Sequence, residues 1–141
     1  MLNTPIDLHT HSAVSDGTET PTQLIRSAAR AGLATVALTD HDSTAGWQEA
    51  ISAATVSGIN VIPGMELSTN FGPASVHVLA YLFDPLDRTI VSETARIRDG
   101  RLRRAERIVE KIARDYDLTW DDVLAESSDG TTLGRPHIAD A

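Results

Sequence analysis

The sequence contains no cysteine and no long apolar run, and each absence removes a class of protein. Without cysteine there is neither a disulfide framework nor a thiolate metal site, so any metal ion must be held by nitrogen and oxygen ligands. No apolar stretch reaches the roughly eighteen residues needed to span a bilayer, and no basic-then-apolar signal segment follows Met1. These features predict a soluble, cytoplasmic protein that does not bind membranes.

The length and charge of the chain restrict its organisation and its partners. A chain of 141 residues, 41% of them hydrophobic, predicts one domain with a single core. The net charge of −8 disfavours broad nonspecific binding to nucleic acid. However, residues 96–114 carry eight basic and three acidic side chains and lie between two acidic segments. This basic arm could be an ordinary exposed helix face, or it could attract a polyanionic substrate.

The hydrophobic periodicity predicts an α/β fold in which strands and helices alternate. Strands are expected over 5–11, 34–39, 60–67 and 76–83, and helices over 21–31, 47–57, 88–116, 120–125 and 135–141. This order predicts a parallel sheet or barrel with its functional residues at the carboxyl ends of the strands. Asp99-Gly100 is expected to break the long helix, and 127–132 is expected to be a polar loop.

The clearest chemical signal is a set of histidines and carboxylates near predicted strand ends and turns. The candidate metal ligands are His9, His11, Asp16, His41, Glu66 and His77. Imidazole and carboxylate ligands suit manganese, zinc or iron, and one carboxylate can bridge two ions about 3.5–4 Å apart. Such a pair of ions generates hydroxide from water at neutral pH, which is the chemistry of ester hydrolysis.

Each ligand taken alone has an ordinary structural explanation. His9 and His11 alternate on a strand and share one face, but such a pair is often surface or core histidine. Asp16 could be a turn residue, and His77 could be a packed core residue whose strand runs antiparallel or turns early. Glu66 lies in an apolar segment where an unpaired carboxylate is costly, which favours a ligand role. Only the complete set indicates a metal site.

Four motifs match one family pattern in order and spacing. They are His-Thr-His-Ser with Ser-Asp-Gly at 9–17, Thr-Asp-His-Asp at 39–42, Pro-Gly-Met-Glu at 63–66, and Val-His-Val-Leu-Ala-Tyr at 76–81. On these motifs the chain resembles the polymerase and histidinol phosphatase (PHP) superfamily, especially its small stand-alone bacterial phosphoesterases. The resemblance implies a distorted (βα)7 barrel with two or three divalent metal ions, manganese first and iron or zinc as alternatives.

The resemblance also implies a role for each matched residue. The metal roles that it implies are one ion at His9 and His11, a bridge at Glu66, a second ion at His77, and a third at Asp16 and His41. Asp40 and Asp42 would orient histidines. In the segment 134–137, Arg135 and His137 would contact substrate phosphate. Without the resemblance, an ordinary explanation is as good for each: Arg135 as a surface residue and His137 as a packing group.

Family members continue with further ligands that this sequence lacks, so we expect a partial barrel whose C-terminal half is absent. Residues 1–84 would form the first half of the barrel with the metal ligands. Residues 85–141 would form a helical insertion with the basic arm and the Arg-Pro-His segment. Four strands cannot close a seven-stranded barrel, so the exposed edges are expected to weaken folding or metal retention, or to pair two chains as a homo-oligomer.

The function implied by the resemblance is hydrolysis of phosphate esters through metal-activated water. The substrates would be nucleotides such as 3′,5′-bisphosphates, or the 5′ ends of short RNA, and the partner would be a phosphorylated small molecule or short nucleic acid. Two alternatives stay open, namely a histidinol-phosphate phosphatase and a non-catalytic, metal-binding or structural domain of a longer protein.

Overall fold

The computed structural model of the protein describes residues 5–127 and 131–141. Strands and helices alternate through β3 before the chain becomes helical. The elements are β1 (Ile6–Thr10), α1 (Pro21–Arg30), β2 (Thr35–Leu38), α2 (Trp47–Ser57), β3 (Asn60–Phe71), β4 (Ala74–Tyr81), α3 (Arg88–Ile112), α4 (Trp120–Ala125) and α5 (Arg135–Asp140). The predicted polar loop over 127–132 lies partly outside the described residues.

The four strands form one curled sheet in the order β1-β2-β3-β4, which confirms the predicted α/β fold with a partial barrel. The pairs β1/β2 and β2/β3 are parallel, whereas β3 and β4 form an antiparallel hairpin that turns at Gly72, where φ is +59°. In this register His77 pairs with Ser68. Because β4 runs backwards, its first residues lie at the same edge of the sheet as the carboxyl ends of β1 and β2. Of the two explanations left open for the strand of His77, the structure shows the antiparallel one.

Helix α1 begins, and helix α2 ends, at residues suited to a helix terminus. The Thr20 side chain accepts a hydrogen bond from the Gln23 amide, and the Gln23 side chain accepts one from the Thr20 amide, which forms a capping box. Pro21 follows at a position where its missing N–H costs nothing. Helix α2 ends at Gly58, whose φ of +70° is a conformation that glycine adopts without strain.

The buried apolar residues described by the structure form two clusters, not the single core that the chain length predicts. One cluster packs α1 and α2 against β2, and four of its side chains, Ile25, Val36, Leu38 and Ala50, are completely buried. The other joins α3, α4 and α5, with Val123 completely buried at its centre.

Helix α3 is continuous from Arg88 to Ile112, so the predicted break at Asp99-Gly100 is wrong. Glycine in a helix interior costs only about 1 kcal/mol, which contacts on either side of it can offset. Those contacts are made by Arg98, which donates to the Asp42 carbonyl, and by Arg101, which pairs with the Asp42 carboxylate.

Among the described residues, no helix is both long and apolar enough to cross a membrane.

Replacing Gly100 by alanine is expected to raise the free energy of unfolding by about 1 kcal/mol, because alanine is the better helix former. A Cβ atom at this position meets no atom within 4 Å. Gly58→Ala is the matched control, since it is equally unobstructed but has a φ of +70°, and it is expected to destabilise. Urea denaturation of both variants measures the difference, and a destabilised Gly100→Ala variant would contradict the prediction.

Candidate metal centre

The structure brings all six predicted ligands together at one edge of the sheet. His11 follows β1, His41 follows β2, and Glu66 and His77 lie on the β3/β4 hairpin. Neighbouring imidazole rings are close, with centroid distances of 5.1 Å for His9 and His11, 4.7 Å for His11 and His41, and 4.9 Å for His41 and His77. Four histidines therefore surround one small volume.

Glu66 lies at the centre of this histidine cluster and is only 5% exposed. Its Oε2 atom is 2.8 Å from His9 Nε2 and 2.9 Å from His11 Nε2. Its Oε1 atom is 2.5 Å from His77 Nδ1, and its Oε2 is 3.7 Å from His41 Nδ1. One buried carboxylate thus faces four imidazoles, which is the arrangement expected of a shared ligand.

Asp16 completes the cluster beside His11 and His41. Its two carboxylate oxygens lie 3.4 Å from His11 Nδ1 and 3.5 Å from His41 Nε2. The ligand atoms fall into three overlapping triads, and within each triad they lie within 4.8 Å of one another. The triads are His9, His11 and Glu66; His11, Asp16 and His41; and His41, Glu66 and His77.

The geometry and the chemistry of this donor set fit divalent metal ions. Two ligands bound to one ion at about 2.1 Å can be separated by at most about 4.2 Å, and the contacts around Glu66 and Asp16 fall within that limit. His41 Nδ1 is in addition a buried nitrogen without a hydrogen-bond partner in the described part of the chain. A buried polar atom of this kind is costly unless something binds it. The site therefore has the ligands and an unused donor atom for a metal.

The pKa values leave the carboxylates ionised and ready to bind cations. Burial opposes ionisation of Glu66, but the hydrogen bond from His9 and the charge of His41 outweigh it, so its pKa is lowered. The hydrogen bond with His41 lowers the pKa of Asp16 to about 2. Burial lowers the pKa of His11. Burial also acts to lower the pKa of His41, but the contact with Asp16 outweighs it, so the pKa of His41 is raised.

Asp40 acts on the histidine cluster indirectly. Its carboxylate accepts hydrogen bonds from the Ser12 amide and hydroxyl, both at 2.7 Å, and from the Ser15 hydroxyl at 2.8 Å. Burial raises the pKa of Asp40, an effect that these hydrogen bonds oppose. Because the Ser15 hydroxyl donates its proton to Asp40, the Ser15 oxygen can accept a hydrogen bond from His11 Nδ1, which is 3.4 Å away. The other ring nitrogen of His11, Nε2, lies 2.9 Å from Glu66 Oε2. The expected orienting role of Asp40 thus acts through an additional hydroxyl, that of Ser15.

Asp42 forms no hydrogen bond or ion pair with a histidine ring among the described residues, unlike the role that the resemblance implies. It is completely buried and has a φ of +50°. Its carboxylate accepts hydrogen bonds from the Ser68 amide at 2.7 Å and the Ser68 hydroxyl at 2.8 Å, and it forms an ion pair with Arg101 Nε at 3.0 Å. Arg98 Nη1 donates to the Asp42 carbonyl at 2.5 Å. Asp42 therefore joins β3 and α3 beside the candidate metal ligands.

The tight turn that carries Asp16 depends on the absence of a side chain at Gly17. The amides of Ser15 and Gly17 both donate to the Ser12 carbonyl at 3.0 Å. A Cβ atom at Gly17 would lie 2.3 Å from the His11 carbonyl oxygen, far inside van der Waals contact. The Ser-Asp-Gly motif is thus a steric requirement as well as a source of one ligand.

Gly17→Ala is expected to reduce the free energy of unfolding by about 2 kcal/mol, because the backbone around His11 must move to admit the methyl group. The same movement displaces Asp16, so the affinity for divalent metal is expected to fall together with stability. Calorimetric titration with Mn²⁺ and urea denaturation measure the two effects. Gly100→Ala serves as the control, since the same methyl group meets nothing there, and unchanged metal affinity in Gly17→Ala would contradict the prediction.

Arg135 and His137 occupy different environments. Arg135 lines an open cavity of about 1160 Å³ together with Asp16, His41 and His77. His137 is buried, does not line this cavity, and accepts a hydrogen bond from the Gly134 amide at its Nδ1 atom, at 3.1 Å. The contact of Arg135 with substrate stays a prediction that its position favours. For His137 the structure gives the packing role, and its contact with phosphate stays a prediction.

Several residues of the site were not identified from the sequence. The most important are the hydroxyls of Ser12 and Ser15, which connect Asp40 to the histidine cluster. The individual arginines of the basic arm were also missed, although Arg101 and Arg104 line the cavity. A signal for them exists, because arginines at 98, 101 and 104 repeat every three residues and so lie on one helix face.

Comparisons with known proteins agree on one family. The sequence profile of the PHP domain matches residues 7–134. A 3′,5′-nucleoside bisphosphate phosphatase from Chromobacterium violaceum is 44% identical over 135 residues, which cover 95% of this chain and 47% of the relative. A 5′-3′ exoribonuclease from Haemophilus influenzae is 40% identical over 104 residues, covering 74% of this chain and 37% of the relative.

One solved structure is also very similar to the whole described fold. The protein is from Bifidobacterium adolescentis and is named a metal-dependent phosphoesterase, and it matches with a TM-score of 0.92 and 47% sequence identity. The match covers 96% of this chain and 48% of that protein. The chain therefore spans about half the length of the relatives that it matches, or less.

Proposed function

Because the chain belongs to the PHP domain family, we propose that its histidine cluster binds two or three divalent metal ions and hydrolyses phosphate esters. The observation that carries the proposal is the buried Glu66, which faces four imidazoles. Manganese is the first choice of metal and iron or zinc are the alternatives, since all three accept nitrogen and oxygen ligands. Bound ions of this kind polarise phosphoryl oxygens and lower the pKa of water, which allows hydrolysis near neutral pH.

The chain's own residues have three tasks in this proposal. Glu66 and Asp16 offset the positive charge of the ions with ionised carboxylates, and the pKa shifts of both favour that state. Ser15 and Asp40 hold His11 in the tautomer whose Nε2 faces the ions. Arg135 orients the substrate phosphate, because its planar guanidinium stays charged and matches two phosphate oxygens.

The proposed substrates are nucleoside 3′,5′-bisphosphates and the 5′ ends of short RNA. The relatives named for a nucleoside bisphosphate phosphatase and for a 5′-3′ exoribonuclease support this class. Nucleotides and RNA are made inside cells, so the proposal includes a cytoplasmic location.

Residues 1–84 would carry the ligands and residues 85–141 would cover the substrate, a division that the two buried clusters support.

A substrate panel with controlled metal content tests the proposal. We expect the metal-stripped protein to be inactive, and added Mn²⁺ to restore phosphate release from an adenosine 3′,5′-bisphosphate or a 5′-phosphorylated dinucleotide. His9→Ala is expected to abolish the restored activity. Preference for histidinol phosphate would establish the alternative phosphatase. If neither this chain nor the complete product of its gene releases phosphate with Mn²⁺, the proposed function is wrong.

The sheet edges leave open a second question about the active form. Strands β1 and β4 are the two edges of the sheet, and Ile6 and Leu8 on β1 are exposed. Unpaired strand edges of this kind can join two copies of a chain. We propose such a dimer as the form of this chain in isolation, and static light scattering tests it, since a monomeric mass at working concentration would exclude it.

A further inference from the structure

Gly100 lies in the middle of α3, where neither backbone conformation nor packing requires a glycine. Apart from proline, glycine is the poorest helix former, yet α3 continues through it. The backbone at Gly100 is helical, unlike that of the glycines with positive φ. A Cβ atom at Gly100 would meet no atom within 4 Å, so no neighbouring group of the protein excludes a side chain. A glycine at such a position is explained if a bound group must come close to the helix backbone.

The open space at Gly100 is part of the cavity beside the histidine cluster. Gly100 lines this cavity, and so does Ile97, which lies one helical turn earlier on the same face of α3. An isoleucine side chain and a bare stretch of helix backbone together make a flat, apolar strip on this wall. The cavity volume of about 1160 Å³ is large enough for a nucleotide, since ligand pockets are typically about 300–1,000 Å³.

The β3/β4 hairpin supplies a polar wall to the same cavity. Asn70 and Ser75 both line it and pair with each other across the hairpin. Because side chains alternate along a strand, this pair lies on the same face as the Ser68–His77 pair, two residues away or roughly 7 Å. In the part of the chain that the structure describes, the side chains of Asn70 and Ser75 form no hydrogen bond with another residue. Their donors and acceptors are therefore available to a ligand.

Contacts at Arg101 hold the two walls together. Arg101 follows Gly100 on α3, and its Nη2 atom donates to the Ser68 hydroxyl of the hairpin. Its Nε atom pairs with the buried Asp42 carboxylate at 3.0 Å. These contacts fix α3 against the hairpin beside Gly100, so the space between the apolar strip and the polar pair is a preformed slot.

The different character of the two walls indicates a planar ring with polar edges as the occupant. A nucleobase is such a group, because its faces are apolar and its edges carry hydrogen-bond donors and acceptors. Within the described residues, no Phe, Tyr or Trp lines the cavity, so the strip at Ile97 and Gly100 is the flat surface on offer. The distance from His77 to the polar pair also suits a nucleotide, in which the ribose separates the base from the phosphate.

We propose that this slot is a nucleobase subsite, in which the base packs flat against α3 at Gly100 and its edge faces Asn70. The inference rests on the proposed function, since the phosphate of the same nucleotide is the group bound at the histidine cluster. Gly100 then determines specificity for a base-bearing phosphate ester over a simple sugar phosphate. Contact through the faces of the ring accepts every base, because each of them has such a face.

Calorimetric titration in EDTA tests the subsite without metal and therefore without turnover. Adenosine 5′-monophosphate and ribose 5-phosphate carry the same phosphate on the same sugar, so the ratio of their affinities reports the contribution of the base. We expect the wild-type chain to bind the nucleotide about tenfold more tightly. Equal affinities, or detectable binding of neither ligand, overturn the inference.

Substitutions at Gly100 separate the slot from the stability of the helix. Gly100→Leu is expected to fill the slot and bring the ratio close to one, and Gly100→Ala to lose part of it. Both replacements are better helix formers than glycine, so urea denaturation should show no loss of stability in either variant. Ser92→Leu is the matched control, because Ser92 is an exposed α3 residue that does not line the cavity, and its ratio should equal that of the wild type.

Asn70→Ala tests the opposite wall. Its affinity for adenosine 5′-monophosphate is expected to fall about threefold, while its affinity for ribose 5-phosphate stays unchanged. A ratio that stays at the wild-type value in Gly100→Leu refutes the subsite even if the protein hydrolyses phosphate esters with Mn²⁺. Conversely, absence of hydrolysis refutes the proposed function, while the affinities in EDTA still decide whether the slot binds a base.

Discussion

Replacing Glu66 by glutamine is expected to lower the affinity for divalent metal by about 100-fold or more. Losing a group that merely supports a metal ligand costs about 10–100-fold in affinity, and Glu66 is itself the carboxylate that faces all four histidines. At saturating metal, a 100-fold loss of affinity removes about 2.7 kcal/mol of metal-induced stabilisation. Thermal unfolding with and without Mn²⁺ measures this loss.

The metal-free protein provides the internal comparison for this variant. Glutamine has nearly the same volume as glutamate, so the free energy of unfolding in EDTA is expected to change by less than about 1.5 kcal/mol. Glu110→Gln is the control, because Glu110 is exposed on α3 and does not line the cavity. If Mn²⁺ stabilises Glu66→Gln as strongly as the wild type, Glu66 is not a metal ligand.

Replacing Asp42 by asparagine is expected to reduce the free energy of unfolding by about 3–5 kcal/mol, the usual cost of breaking a buried ion pair. Asp42 is completely buried, and the side chain of its partner Arg101 is only 11% exposed. Asparagine tolerates the positive φ at this position, so the backbone is not the cause of the loss. Its amide group, however, would bring a donor where the Arg101 and Ser68 donors need an acceptor.

A double-mutant cycle isolates the ion pair. Arg101→Gln alone is also expected to destabilise, whereas the combination of Asp42→Asn with Arg101→Gln should cost less than the sum of the two, by at least about 1 kcal/mol. Asp99→Asn is the control, because Asp99 is exposed on α3, and its effect should stay within about 0.5 kcal/mol. Urea denaturation gives all four values. Additive losses, or a loss below about 1 kcal/mol in Asp42→Asn, would contradict the assignment.

Local sequence patterns predicted the elements because those patterns depend on neighbouring residues. The Thr20-Pro21 start of α1 and the Gly58 end of α2 are satisfied by groups within a few positions of each helix end. The parallel strands followed from the alternation of strand and helix. The six candidate metal ligands could be named as a set because chemistry and motif spacing agreed on them, and the structure brings them together.

The remaining features depend on contacts between residues that are distant in the sequence. Asp42 sits in a Thr-Asp-His-Asp motif that indicates support for histidine, but its partner is Arg101 on the far helix. The same contact helps keep α3 continuous through Gly100, against the local propensity of glycine. These are the positions where tertiary contacts override local preference.

The metal site is tested most directly by an anomalous difference map from crystals of this chain grown with MnCl₂, recorded at the manganese absorption edge. We expect two or three peaks inside the histidine cluster, each about 2.0–2.3 Å from histidine nitrogens and carboxylate oxygens of the predicted set. At least one peak should contact Glu66, since its carboxylate is common to two of the three triads. No peak within the histidine cluster, or peaks only at other surface carboxylates, would contradict a metal-dependent function for this site.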